Sequence, residues 1–316
     1  MVVAIYLILN VLWDYRAGGT DTVRARTSGL RYIHRMATKP VILSIAGYDP
    51  SSGAGITADV KTAAAMGCYA VTCITALTVQ STQGVFGVEP VRPEVVRETL
   101  YRLAEDVDPG AVRIGMLGSG EVARVVAEFL REVRPRNVVL DPVLRSSSGA
   151  ELIDAQGVEV ILRQFLPLCD VITPNYYEAN RLAGLEFGAI FASNSYQDAL
   201  PEVRQVASKL HELGARGVVI TGGHLPEAND YLSSREGNAT IEQVLPGSRI
   251  ESQATHGTGC AFAAALACGL ARGFPLAMAV QKAKDFVRHA IYAAYQVGRG
   301  TGPMNHLFRL PLYPED

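Results

Sequence analysis

Beyond Pro40 the chain alternates short apolar runs with longer amphipathic ones. The first run, Val41-Ile42-Leu43-Ser44-Ile45-Ala46, has buried-strand length, and a Gly/Asp/Pro/Ser loop separates it from a helical pattern over about 56–66. The unit recurs, with strands at 69–76, 112–114, 138–140, 171–173 and 218–221. Helical stretches with apolar residues three and four apart lie between them, at about 93–105, 120–133, 157–166, 176–184 and 198–213. Strand and helix in alternation predict a mostly parallel sheet covered by helices on both faces, with a site built from the loops at the strand C-terminal ends. The more polar segment 231–250 reads as edge strands, and two helices, about 258–272 and 276–296, close the chain. No internal repeat or linker divides residues 36–316, so one domain is expected there.

The first 35 residues break this pattern. Residues 2–12 form an apolar run, but no basic segment precedes it, and Asp14, Arg16 and Asp21 end it well short of the roughly 20 apolar residues of a membrane span. Residues 13–35 scatter five arginines among Gly, Thr and Ser without a period, and Met36 stands just before the first strand. Residues 1–35 are expected to be an appendage outside the fold, consistent with an upstream reading of the start codon. A short targeting or membrane-contact segment is the rival.

Length and charge narrow the partners. A chain of 316 residues can bury a large core as one α/β domain or two small ones. Its 29 basic and 31 acidic residues leave a net charge of −2, which gives no electrostatic footprint for nucleic acid or an anionic membrane and points to a small-molecule partner. The five cysteines, at 68, 73, 169, 260 and 268, are odd in number and form no C-x-x-C pair, which reads as reduced intracellular thiols.

The densest chemistry lies in Thr255-His256-Gly257-Thr258-Gly259-Cys260, which opens onto an alanine-rich helix. Glycines permit the tight turn, and the first helical N–H groups are left pointing outward with the positive end of the helix dipole, so a phosphate or oxyanion is the natural guest. Cys260 in that first turn is expected to be favoured as a thiolate. The competing reading is a glycine-rich packing loop with an inert cysteine. Gly53-Ala54-Gly55-Ile56-Thr57-Ala58 fits a dinucleotide fingerprint, but residues 71–80 supply no acidic partner for a ribose, so that reading is rejected. No P-loop, H-E-x-x-H or G-x-S-x-G sequence occurs. Polar residues recur instead at the strand ends, at Asp49, Gln80, Asp141-Pro142, Thr173-Pro174-Asn175 with Glu178, and Gly222-Gly223-His224.

These blocks carry a resemblance. Ala46-Gly47-x-Asp49-Pro50-x-x-Gly53-Ala54-Gly55-Ile56-x-Ala58-Asp59-x-Lys61-Thr62, Thr75-Ala76-Leu77-Thr78-x-Gln80, Ile114-Gly115-Met116-Leu117, Asp141-Pro142-Val143, Thr173-Pro174-Asn175-x-x-Glu178, Gly222-Gly223-His224-Leu225, the Thr255 block and Gly302-Pro303-x-Asn305-His306 together resemble the hydroxymethylpyrimidine/phosphomethylpyrimidine kinases of thiamine biosynthesis. The resemblance runs from about residue 40 to 308. It implies a ribokinase-like three-layer α/β sandwich and transfer of the ATP γ-phosphoryl group to 4-amino-5-hydroxymethyl-2-methylpyrimidine and its monophosphate, in the cytoplasm, with a homodimer left open. It further implies that Gln80 and Asp59 bond the substrate while Gly47, Met116 and Val143 bound its ring. Asp141, with Glu178 through water, would hold Mg²⁺, and Thr221, Gly223 and Thr255 would flank the nucleotide. Gly257, Thr258 and Gly259 would form the anion hole, and Cys260 would take the hydroxyl proton.

Two positions depart from the family pattern. Thr221 and Ser147 stand where lysines are typical, so two phosphate-facing cations are absent and slower turnover is expected, with Arg145 either a substitute charge or a solvated side chain. The rivals are a pyridoxal kinase on the same fold and a pyrimidine-binding relative without turnover.

Overall fold

The computed structural model describes residues 39–310, apart from 147–148, 186–194, 224, 226 and 238. The appendage expected at residues 1–35, and the positions Ser147 and His224, therefore lie outside the described residues. Nine described strands form one sheet in the order β3-β2-β1-β4-β5-β6-β7-β8-β9. The parallel centre comprises β1 (Val41–Tyr48), β2 (Tyr69–Ser81), β4 (Ala111–Ile114), β5 (Val138–Leu140), β6 (Val171–Ile172) and β7 (Gly217–Ile220). Antiparallel strands flank it, with β3 (Gly84–Pro90) on one edge and β8 (Asp230–Glu236) and β9 (Ala239–Leu245) on the other.

The apolar runs make such strands because side chains alternate across the sheet and both faces are covered. Leu43, Ile45, Val112, Ile114, Val138 and Leu140 join the core of one face. That core is closed by α2 (Pro93–Asp106), α3 (Gly120–Val133), α4 (Ala155–Val160, continuing through a π-helical stretch Ile161–Phe165 into Leu166–Leu168), α5 (Tyr176–Ala183) and α6 (Tyr196–Glu212). The intervening residues Ile42, Ala111, Val139, Val171 and Val219 face the other side, under α1 (Gly55–Ala65), α7 (Thr258–Ala271) and α8 (Leu276–Tyr292). This three-layer sandwich is the expected architecture. Among the described residues no helix is long and apolar enough to cross a membrane, and all five cysteines are free.

The largest difference from the sequence reading is the β2–β3 hairpin. The expected strand ended at Ala76, whereas β2 runs on to Ser81 and turns back as β3. The pattern is inverted there. Thr78 and Gln80 line a cleft, while the apolar Leu77 and Val79 face outward, 48% and 67% exposed, so polarity no longer reports the buried face.

The segment after α8 folds back onto that helix. Asn305 N donates to Ala290 O, and His306 is buried with no partner at Nε2 among the described residues. Burial and the nearby Lys61 charge push its pKa down to about 4. A base whose folded pKa lies below its unfolded value contributes stability that is present above about pH 6.5 and is lost as the pH falls towards 4, because the unfolded chain then binds the extra proton. His306→Gln is expected to flatten the decline in urea midpoint between pH 7 and pH 5. An equally steep decline in both proteins would remove His306 as its source.

Candidate active site

The chain leaves β1 towards β2 on one side of the sheet, while β4 pairs on the other, so the loops following these neighbours diverge and a crevice opens between them. The result is a cavity of about 950 Å³ along the C-terminal strand edge. Every site residue named from the sequence lines it except Asp59.

One end is the N-terminus of α7. Gly257 caps it in the left-handed region, at φ 77°, and no side chain caps the helix; Thr258 N donates weakly to Thr255 O at 3.4 Å. A side chain at Gly257 is excluded twice over, by its φ and by Gly53 O, which a Cβ would approach to 1.9 Å. The Asp49 carboxylate shapes the opposing loop by accepting hydrogen bonds from Ser51 N and Oγ, Gly53 N and Ala54 N at 2.7–3.1 Å. His256 Nε2 lies 2.8 Å from Asp49 Oδ2 and 3.1 Å from Gln80 Nε2. Burial alone would raise the Asp49 pKa, but the bonds from His256, Ser51 and Ala54 lower it overall. The Gln80 end has an apolar wall of Met116, Leu152 and Val143, with Gly47 so close to Met116 that a Cβ there would meet its Sδ at 2.9 Å. A flat ring with one polar edge suits that combination.

Beneath the cleft lies a charge that the sequence reading did not use. Arg113, fully buried on β4, donates from Nη1 to Asp59 Oδ2 at 3.0 Å and from Nη2 to Asp141 Oδ2 at 2.8 Å. Its signal was a lone cation inside an apolar strand. Asp59 is completely buried there, also accepting from Ser44 Oγ at 2.5 Å, and burial raises its pKa to about 6 despite Arg113. Asp59 does not line the cleft: its Oδ2 faces the guanidinium within the core, and its Oδ1 has no partner among the described residues. The expected Cys260 thiolate is corrected. The thiol is partly open to the cleft yet crowded by protein, and this desolvation pushes its pKa up to about 11, against the pull of Arg113 and with Asp141 adding to the rise. Burial outweighs the helix-end field.

Asp141 and Glu178 form the candidate metal pair. Burial raises both, and the Asp141 charge helps lift Glu178 to about 8. Glu178 Oε2 completes the capping box of α5 by accepting from Asn175 N at 3.0 Å. Among the described residues no group of three or more His, Cys, Asp or Glu could hold a metal. Two desolvated carboxylates with few protein ligands fit Mg²⁺, which keeps several waters and leans on substrate phosphates.

At the other end Thr221 N donates to Pro174 O, and the structure brings in a cation from far along the chain. Lys284 on α8 lines the cleft and donates to Asp230 Oδ2 and Ala228 O, each at 2.8 Å. Arg145 also lines it, paired with Glu151 and lying 5.2 Å over the Tyr177 ring.

A family model described as phosphomethylpyrimidine kinase matches residues 49–305. The chain belongs to the phosphomethylpyrimidine kinase family. By that membership it is a phosphotransferase. It is 40% identical over 260 residues to the hydroxymethylpyrimidine/phosphomethylpyrimidine kinase of Aquifex aeolicus, covering 82% of this chain and 97% of that protein. It is 42% identical over 289 residues to the thiamine biosynthesis bifunctional protein ThiED of Geobacter sulfurreducens, covering 91% of this chain but only 56% of that one. Among solved structures, the ADP complex of Bacillus subtilis pyridoxal kinase superposes with a TM-score of 0.73 at 31% identity, covering 85% of this chain and 98% of the other.

The contact between the two glycine loops generates a direct test. Gly257→Ala is expected to lower the melting temperature by several degrees, about 1–3 kcal/mol for a strained left-handed residue. An unchanged melting temperature would show that the loops tolerate a Cβ between them.

Proposed function

We propose that this chain transfers the γ-phosphoryl group of ATP to the hydroxymethyl oxygen of 4-amino-5-hydroxymethyl-2-methylpyrimidine, and a second one to the phosphate of the monophosphate, giving the diphosphate for thiamine biosynthesis. The observation that carries this reading is the sharing of one cavity by an uncapped helix N-terminus and an apolar wall ending in the Gln80 amide. The first is built for phosphate, the second for an aminopyrimidine, whose edge presents a donor and an acceptor side by side.

In each transfer a substrate oxygen bonds to the γ-phosphorus as the bond to the bridging oxygen breaks and ADP leaves. Gly257, Thr258 and Gly259 take the charge spread over the phosphoryl oxygens, and Asp141 lies against them, 3.9 Å from where a Cβ on Gly259 would stand. Asp141, with Glu178 through water, would hold Mg²⁺, which when bound would supply neutralisation of phosphate charge. Cys260 is the proposed acceptor of the hydroxyl proton in the first transfer. Its thiol is neutral in the resting site, so transfer draws on the small thiolate fraction that Arg113 favours. Thr221, Gly223 and Thr255 border the nucleotide end. A homodimer, with Leu77, Val79 and Phe86 of the outward hairpin face as its contact, and a cytoplasmic location complete the proposal.

Pyridoxal phosphorylation is the second reading, supported by the likeness to the Bacillus subtilis pyridoxal kinase. An ADP-release assay with the alcohol, its monophosphate and pyridoxal decides between them: turnover of both pyrimidines above pyridoxal is expected, and the reverse order would reject the proposal. Cys260→Ala is expected to lower kcat on the alcohol by about 10²–10⁴ while pyrimidine binding persists. An unchanged kcat would make the cysteine structural.

A further inference from the structure

Gln80 sits in a chain of groups whose protons can be counted. Thr78 Oγ lies 2.9 Å from Tyr48 O and 3.0 Å from the Gln80 amide, and the far side of that amide lies 3.1 Å from His256 Nε2. His256 Nε2 in turn is 2.8 Å from Asp49 Oδ2. Asp49 accepts four hydrogen bonds from its own loop and offers no proton, so His256 must carry its hydrogen on Nε2 to meet it. A Gln80 NH₂ group turned towards that N–H would set donor against donor. The oxygen of the amide therefore belongs on the His256 side, sharing the imidazole N–H, and the nitrogen on the Thr78 side. This orientation satisfies the remaining groups: the amide donates to Thr78 Oγ, and the single Thr78 hydroxyl proton goes to Tyr48 O, leaving no donor facing a donor.

The ring that sets this order has nowhere to turn. The Cδ2 edge of His256 abuts Gly53, where an added Cβ would come within 2.2 Å of Cδ2. Its side chain is 12% exposed and that of Asp49 4%. Its own backbone N donates to Gly302 O at 3.1 Å, tying its strand-like segment to the returning C-terminal stretch.

We propose that Asp49 and His256 are specificity-determining positioning residues, which lock the Gln80 amide so that it offers the cleft an acceptor and a donor in one fixed order. An aminopyrimidine edge, with an exocyclic NH₂ beside a ring nitrogen, meets that order with its donor on the Gln80 oxygen and its acceptor on the Gln80 nitrogen. A pyridoxal ring has no amino group beside its ring nitrogen, so it cannot use both. The lock thus selects the pyrimidine class, and this inference rests on the proposed function above.

The test compares His256→Phe, which keeps an aromatic ring on Gly53 but has no N–H, with His256→Gln, whose side-chain amide restores a donor. Steady-state kinetics would use 4-amino-5-hydroxymethyl-2-methylpyrimidine and pyridoxal with full-length protein. His256→Phe is expected to raise KM for the pyrimidine by about 10–100-fold, the loss of one well-placed buried hydrogen bond, with a much smaller change in kcat. KM for pyridoxal should move less than about threefold, and His256→Gln should recover most of the pyrimidine loss. Equal KM changes for both substrates, or no recovery in His256→Gln, overturn the proposal. A second measurement needs no variant to fold: ¹⁵N-resolved spectra of wild-type imidazoles are expected to show His256 protonated at Nε2, and a bare Nε2 overturns the lock. Failure of the functional reading looks different, since the wild type would then turn over neither pyrimidine, and the lock would be judged on the protonation of Nε2 alone.

Discussion

A buried guanidinium bridges three elements of this fold. Arg113 on β4 reaches Asp59 on α1 with one nitrogen and Asp141, just beyond β5, with the other, and no part of it is exposed. A charge so far from water is tolerated only with close counter-charges, and removing either partner would strand the other at a cost of about 3–5 kcal/mol. Burial works against the Arg113 charge, and Asp59, Cys260 and Asp141 together more than offset it. The backbone is shaped to the same end: at Gly115 a Cβ would come within 2.0 Å of Arg113 Nη1. The cleft floor is thereby fixed in position by an ion network of which only Asp141 reaches the cleft.

In the proposed reaction that network would also set the electrostatics of phosphoryl transfer. Asp141 has one oxygen on Arg113 and lies beside the α7 terminus, so the candidate metal ligand and the anion hole are held in register by the core. The absence of lysine at Thr221 looks different once Lys284 is seen in the cleft wall. This cation comes from α8, more than sixty residues later in the chain, and is held by Asp230, whose other oxygen accepts from Gly222 N in the loop after Thr221. The cleft that Thr221 lines therefore keeps a positive charge, although the cation comes from a different element and with a carboxylate attached.

Ring recognition obeys a related rule. A single glutamine is an ambiguous reader, since its amide can turn over, and the surrounding Thr78, His256 and Asp49 remove that ambiguity through donors and acceptors that already have partners. The apolar neighbours Met116, Leu152 and Val143 supply contact area but no direction. Directional bonds are left to the polar edge.

The sequence by itself determined the alternation of strands and helices, the crevice at the strand C-terminal ends and the glycine turn before α7, because each follows from local periodicity or from glycines that free one short stretch of backbone. It also carried the family, since long blocks such as those around Asp49 and Thr255 are specific enough to be matched directly. Tertiary structure alone decided which polar residues face the cleft and which face one another. Asp59 looks like a ligand in its block and is an ion-pair partner in the core, because Arg113, 54 residues away, claims it. Cys260 sits at a helix end that should favour its thiolate, and crowding reverses the balance. Asp49 and His256 are 207 residues apart and meet at 2.8 Å. Local pattern reports what a backbone segment will form, whereas desolvation and pairing depend on what the rest of the chain packs against it.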